Sequence, residues 1–551
     1  MNKKIIASIL TFGLISGVAT TTFVSANANK KVEVTLLNAD NIKQIKYKST
    51  ALPSGGITDP YFTGRSTVRA SFSLRSYYQN IVYRHISTNM ENVWKDCTGA
   101  GVTVAIIDTG LDINHPDFKD NVSNDSGYFY TTYKENSHGD LIGYEVHKDI
   151  GKQYLAHEVV REDGETYLES HGTNTAGAAL AEMNGEGTIG VAPGATLLAL
   201  KVDLDDYSIN EAIKYATDKG AKVINMSFGG YAEKYYDHRL QEWFDEEGVD
   251  YAPGSDVSMI EALNYAHAHD VILIAAAGNE CTPTHSYPAC NDYVVGVGAL
   301  DTDSGSKKAD YSNYNLSSDT PSTNPSVDVC TPGTVVVPEN EYDSRSSKGK
   351  QTYCVNQGTS FSSPIVAGMA ALWLEKNPNG TPLQFEDALF NSAKDIGPAN
   401  WDTTYGYGLA HVDRLLKYES TVEEIRATSI KFDKTSVSVA INDTVEIPAI
   451  VEPENATNKV SYLSSDNMVA YVSNDGVITG YNKGSCTITA SIDGLSATLS
   501  VKVGSSIDDI FDGMIGFASF CGGNVATTSI MLSAISLIGI ALILNKKKIS
   551  K

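Results

Sequence analysis

Apolar residues cluster in short runs through the middle of the chain: "GVTVAIID" at 101–108, "TLLALKV" at 196–202, "KVINMS" at 222–227, "DVILIAAAG" at 270–278 and "YVVGVGAL" at 293–300. Each is too short for a helix and carries apolar side chains on both faces, which predicts fully buried strands. Between them, "INEAIKYATDKG" and "SMIEALNYAHAHD" space their apolar positions at helical intervals. The alternation from about residue 100 to 415 predicts an α/β domain, a doubly wound parallel sheet with helices on both faces. Functional residues in such folds gather beyond the carboxyl ends of the strands. A further helix, "PIVAGMAALWL" at 364–374, is apolar around most of its circumference, so it is expected inside the domain, with the polar "GTSFSS" at its mouth.

From about Ile425 the pattern changes. Short alternating runs separated by Asn, Asp and Gly turns predict an all-β sandwich over 424–504. Lys3 and Lys4, an apolar stretch from Ile5 to about Val18 and small residues at Ala26 and Ala28 read as a cleavable signal peptide over 1–26. At the other end, "VATTSIMLSAISLIGIALIL" at 525–544 has the length of a transmembrane helix, and the lysine-rich tail 545–551 is expected to stay cytoplasmic. Residues 505–524 form a linker, and no LPxTG-like sorting sequence precedes the span. The expected product is exported and anchored in a bacterial cell membrane, with everything between the two apolar segments outside.

Charge and cysteine content narrow this picture. The 551 residues carry 42 Lys+Arg against 66 Asp+Glu, a net charge of -24 that repels phosphate backbones, so nucleic acid is not an expected partner. Seven cysteines in an exported chain permit disulfides and leave one unpaired or paired between chains. Cys281 with Cys290 and Cys330 with Cys354 are candidate pairs, with connectivity left open, while Cys97 and Cys486 read as small buried residues and Cys521 as a lone thiol near the membrane.

Candidate chemistry lies at the ends of the predicted strands. Asp108 closes "VTVAIID", His171 opens "HGTNTAGAALAE", and Ser360 opens the buried helix. A serine hydroxyl is a weak nucleophile at neutral pH and needs a base, and the base needs a partner that fixes its tautomer. Ser360, His171 and Asp108 supply those roles in turn. Asn279, just past "VILIAAAG", is placed to donate to a developing oxyanion beside the backbone N–H of Ser360. Ser362 and Ser363 have no matched base and read as ordinary residues of a helix start.

These residues sit in blocks that strongly resemble the subtilisin-like (subtilase) serine proteases over about residues 91–415: "VAIIDTGLDINHPDF", "HGTNTAG" with "GVAPGATLLALKV", "VINMSFGG", "AAAGNE", "GTSFSSPIVAG" and the closing "YGYGLAHVDRLL". The resemblance implies a peptidase domain over 91–418, a catalytic triad of Asp108, His171 and Ser360, and Asn279 as oxyanion donor. It also implies that Ser227, Phe228 and Gly229 belong to the strand edge that pairs with a bound peptide, and that polypeptides are the substrates. The β-rich segment resembles group 2 bacterial Ig-like domains, which implies a spacer or a module that contacts the cell surface.

This chain departs from the family pattern at several positions. Asn174 stands where the family has a second histidine, and Phe361 and Ser362 follow the nucleophile where methionine and alanine are usual. No cofactor is required by the implied chemistry. Calcium is common in the family as a structural ion, and Asp117 falls at the position of a calcium ligand, yet the loop "EMNGEGTIG" that would complete the set is shortened. An insertion occupies about 121–165, and the acidic "YAEKYYDHRLQEWFDEEGVDYAPGSDV" is read either as a solvated loop or as a preference for basic substrate residues. Residues 27–90 are expected to be an inhibitory prosegment or an extension wrapped on the core. The expected activity is that of an extracellular, membrane-anchored serine endopeptidase. The alternatives are a dedicated maturation protease for one secreted precursor and a surface adhesin whose protease domain is idle.

Overall fold

The computed structural model describes residues 57, 59, 71–136, 141–156, 159–162, 165–231, 235–237, 242–244, 257–343, 348–473 and 475–504. The predicted signal peptide, linker, transmembrane span, basic tail and Cys521 lie outside these residues, as does most of the acidic insertion. Among the described residues no helix is long and apolar enough to cross a membrane.

The predicted parallel sheet is present and larger than the apolar runs suggest. Its strands are β1 (Thr103–Asp108), β2 (Gly127–Glu135), β3 (Leu141–Ile150), β4 (Thr196–Val202), β5 (Val223–Met226), β6 (Ile272–Ala276), β7 (Val294–Leu300) and β8 (Val329–Pro332). They lie side by side in the order β8-β7-β6-β5-β1-β4-β2-β3. Every neighbouring pair is parallel except β2 with β3. The 121–165 insertion thus supplies an antiparallel ribbon that continues the sheet at one edge. Only Gly127–Phe129 of β2 pair with β4, so the ribbon runs on past the carboxyl end of β4.

Side chains alternate across a strand, and β1 shows the consequence. Val104 and Ile106 enter the core on one face, with helices α1 (Ser71–Ile86), α2 (His171–Leu180) and α5 (Thr359–Lys376). Ala105 and Ile107 enter the core on the other face, beneath α3 (Asp206–Asp218) and α4 (Val257–Ala268). Helix α5 is buried from Thr359 to Leu374, as its apolar circumference requires. Helix α1 falls in the segment expected to be a prosegment or extension. Its Val82, Tyr83 and Ile86 are part of the core, and the side chain of Gln79 donates to the carbonyl of Ile189 at 3.0 Å.

Neither candidate disulfide is formed. Cys281, Cys290 and Cys330 carry free thiols. Cys330 lies within β8, where its thiol faces the carbonyl of Tyr405 at 3.7 Å. Cys354 lies on a separate ribbon, Thr334–Asp343 with Lys348–Gln357, opposite Val337, so the two cysteines belong to different sheets. Spacing along the chain carries no information about such an arrangement.

The C-terminal part is all β, as its alternation predicts. Ser436–Val439, Leu495–Val503, Gly484–Ile492 and Ser461–Ser464 form one sheet, and Thr444–Glu446, Val477–Gly480 and Ala470–Val472 another. Along Gly484–Ile492 every second residue from Cys486 onward is buried.

Helices α2 and α5 approach closely at Gly368, where a Cβ atom would lie 2.6 Å from Cβ of Val191 and 3.2 Å from the carbonyl oxygen of Ala179. Gly368→Ala is therefore expected to destabilise the domain by about 1–3 kcal/mol through overpacking. Thermal unfolding, followed in a Ser360→Ala background to suppress self-cleavage, checks this, and an unchanged Tm would contradict it.

Candidate active site

The carboxyl ends of β1 and β6 and the amino ends of α2 and α5 meet at one place. Asp108 is the last residue of β1 and His171 the first of α2, and their side chains are 4% and 6% exposed. Nδ1 of His171 lies 2.8 Å from Oδ1 of Asp108. An ionised carboxylate only accepts hydrogen bonds, so the imidazole donates from Nδ1 and presents Nε2 as its basic nitrogen. The other oxygen of Asp108 accepts the hydroxyl of Thr175 at 3.0 Å, and Oδ1 also accepts the N–H of Thr109 at 2.7 Å. Gly172 permits this docking, because a Cβ there would lie 2.2 Å from the carbonyl oxygen of Gly110.

Ser360 is the second residue of α5, whose N-cap is Gly358 at φ 151° with no side-chain cap. None of the serines caps this helix. The N–H of Thr359 instead donates to Oδ1 of Asn279 at 2.8 Å, and the Thr359 hydroxyl donates to the same oxygen at 3.1 Å. That double hold commits the amide oxygen to the start of α5. The loop after β6 is braced behind it, with the N–H of Asn279 donating to Glu280 at 2.9 Å and the Asn313 side chain to the same oxygen at 2.8 Å.

The three serines separate clearly. The Ser360 hydroxyl donates to the carbonyl of Ser227 at 3.2 Å, and the Ser227 hydroxyl donates back to the carbonyl of Ser360 at 2.8 Å. Ser362 donates to the carbonyl of Thr331 at 3.3 Å, and Ser363 exchanges a bond with the Ser227 hydroxyl at 3.1 Å. All three serines are fully buried, and they differ in the groups they bond. Ser227, Phe228 and Gly229 follow β5 directly, and the side chains of Ser227 and Phe228 point into the interior at 1% and 2% exposure. Only the backbone of this segment is suited to meet an extended ligand.

Asn174 is held as a buried amide, donating to the carbonyl of Pro338 at 2.6 Å and accepting from Asn356 at 3.2 Å. It ties α2 to the neighbouring ribbon and takes no part in the Asp108–His171 contact. Asp117 lies apart from these residues. Its oxygens accept the hydroxyl of Tyr353 at 2.8 Å and the N–H of Thr188 at 3.3 Å. Burial lifts its carboxyl well above the ordinary range, while those two bonds draw it back. Calcium requires several converging oxygen donors, whereas hydrogen-bond donors face this carboxylate. Among the described residues no group of three or more His, Cys, Asp or Glu side chains converges to hold a metal. The residues around Asp117 therefore do not fit the ion that the resemblance suggested.

Thr175, Thr109 and Thr359 were not singled out from the sequence. Thr175 was detectable, since it lies four residues after His171 and so shares its helix face. The two other threonines act through contacts that only the folded chain reveals.

Phe361 packs its ring 5.8 Å from the imidazole of His171 and is 1% exposed. A phenyl ring in this position resists mild peroxide, whereas a thioether is oxidised to a sulfoxide. Activity is expected to survive dilute peroxide in the native protein and to be lost in Phe361→Met. Rapid inactivation of the native protein would contradict the account.

Residues 99–408, more than half of the chain, match the Subtilase family, and residues 426–503 match the bacterial Ig-like domain (group 2). Fervidolysin of Fervidobacterium pennivorans is 30% identical over 349 residues, covering 59% of this chain and 42% of fervidolysin. Subtilisin DY of Bacillus licheniformis is 31% identical over 326 residues, covering 57% of this chain and 90% of that protein. A solved structure described as proteases from Pseudoalteromonas arctica superposes with a TM-score of 0.48 at 24% identity, covering 65% of this chain and 98% of that one. The chain belongs to the subtilase family of serine endopeptidases and carries a group 2 bacterial Ig-like domain after its peptidase domain.

Proposed function

We propose that this chain is an exported, membrane-anchored endopeptidase that cleaves peptide bonds through an acyl-enzyme on Ser360. The observation that carries the reading is the buried 2.8 Å contact between His171 and Asp108, at the end of the helix whose second residue is Ser360. In this mechanism Nε2 of His171 takes the Ser360 proton as the hydroxyl attacks the scissile carbonyl, and Asp108 holds the imidazole in the required tautomer and stabilises its charged form. The oxyanion receives Nδ2 of Asn279 and the backbone N–H of Ser360. The positive end of the long helix α5 supports the same charge. The protonated His171 then gives its proton to the leaving amine, and water activated by the same nitrogen releases the acyl group.

Polypeptides are the substrate class, and backbone pairing along Ser227–Gly229 suits extended segments of varied sequence. The export and anchoring part of the proposal rests on the sequence of residues 1–26 and 525–551, and the Ig-like domain is read as a spacer that holds the peptidase domain away from the surface.

Labelling by a serine-reactive fluorophosphonate tests the chemistry. The native protein is expected to be labelled and Ser360→Ala not, and label retained by the variant would refute the assignment. A labelled protein that leaves unfolded protein substrates intact would instead favour a maturation protease with one precursor. Asn279→Ala is expected to lower kcat by about 10²–10³-fold with little change in KM, the usual cost of one lost oxyanion donor. Steady-state kinetics on a peptide ester reads this, and a loss confined to KM would contradict the role given to Asn279.

A further inference from the structure

We propose that Glu169 is a positioning residue for His171, holding the backbone of the base by accepting the first N–H of α2. The inference deepens the serine-protease reading above and rests on it. A helix start leaves N–H groups with no intrahelical acceptor. Ser170, in the N-cap position, makes no side-chain capping bond. Its place is taken by the residue before it, since the N–H of His171 donates to the two oxygens of Glu169 at 3.1 and 3.3 Å.

The next N–H, that of Gly172, donates to the hydroxyl oxygen of Thr109 at 3.1 Å. The N–H of Thr109 donates to Oδ1 of Asp108, the oxygen that faces His171. Gly172, Thr109, Asp108 and the imidazole of His171 are thus linked by hydrogen bonds, and Glu169 joins them at the N–H of His171, so the base is held at its backbone by one carboxylate and at its ring by the other. Ordinary capping would be met by the side chain of Ser170 alone, without a charge beside the base.

The charge has its own consequence. Among the described residues, the ionisable groups that act on Glu169 are His171 from α2 and Asp108 from β1. From α5 the imidazole meets the uncharged ring of Phe361. Burial raises the Glu169 carboxyl above its ordinary range, and His171 and Thr109 draw it back. The attraction is mutual, so ionised Glu169 favours the imidazolium that forms when Ser360 gives up its proton.

The test is the pH dependence of the second-order rate of fluorophosphonate labelling for the native protein, Glu169→Gln and Glu169→Ala. Glutamine keeps an acceptor for the His171 N–H and removes the charge. Its acid limb is expected to move to lower pH by about half to one unit, read as labelling about three- to tenfold faster than native on that limb. Alanine also removes the acceptor, and its plateau rate is expected to fall about ten- to a hundredfold. A role in folding alone would lower the Tm of Glu169→Ala and leave the limb of Glu169→Gln in place, and that outcome would overturn the proposal. Should the alanine variant fail to fold, the limb of the glutamine variant decides the matter. Absence of label on the native protein would defeat the protease reading itself, whereas a labelled native protein with an unmoved limb in Glu169→Gln would defeat this inference alone.

Discussion

A carboxylate and an imidazole buried in contact constrain everything around them. Asp108 and His171 are almost wholly removed from water, and a buried ionisable pair is tolerated only where its remaining lone pairs and protons are satisfied. Thr175 and Thr109 do this for Asp108. The pair can form only because a parallel strand ends where a helix begins, with a glycine at Gly172 thin enough to let the two meet. The sheet order places β1 between β4 and β5, so the Asp108 end is flanked by strand ends on both sides. One of those, β5, leads directly into Ser227 and from there to Ser360.

The same logic explains the buried helix α5. A helix that is apolar around its circumference belongs inside a protein, and its amino end then opens onto whatever the core surrounds. Here that end is held by Asn279 rather than by a capping serine. The oxygen of one amide thus fixes the start of the helix.

The strands β1, β4, β5, β6 and β7 were legible in the sequence because strands buried on both faces read as unbroken apolar runs. The residues Asp108, His171, Asn279 and Ser360 were legible because they stand at the ends of those runs and in spaced motifs. The ribbon β2–β3 was not, since a sheet edge such as "GYFYTTYKE" mixes Tyr, Thr and Lys and gives no buried-strand signal. The pairing of Cys330 with Cys354 failed for a related reason, because the two are near in sequence and lie in different sheets. Asp117 shows the limit of a single matched position: a metal site depends on every donor, and here Tyr353 and Thr188 occupy the carboxylate instead. Glu169 carried no motif, and only its contact with the N–H of His171 distinguishes it.

The central claim is that one serine, Ser360, carries the acyl group. The most direct measurement is to mix the protein with an activated ester, quench at low pH before deacylation, and locate the added mass by fragmenting the peptide that contains residues 354–376. The account predicts close to one acyl group per protein, on Ser360 and absent from Ser362 and Ser363. Acylation at either neighbouring serine, or turnover of the ester with no trapped acyl group at any quench time, would contradict it.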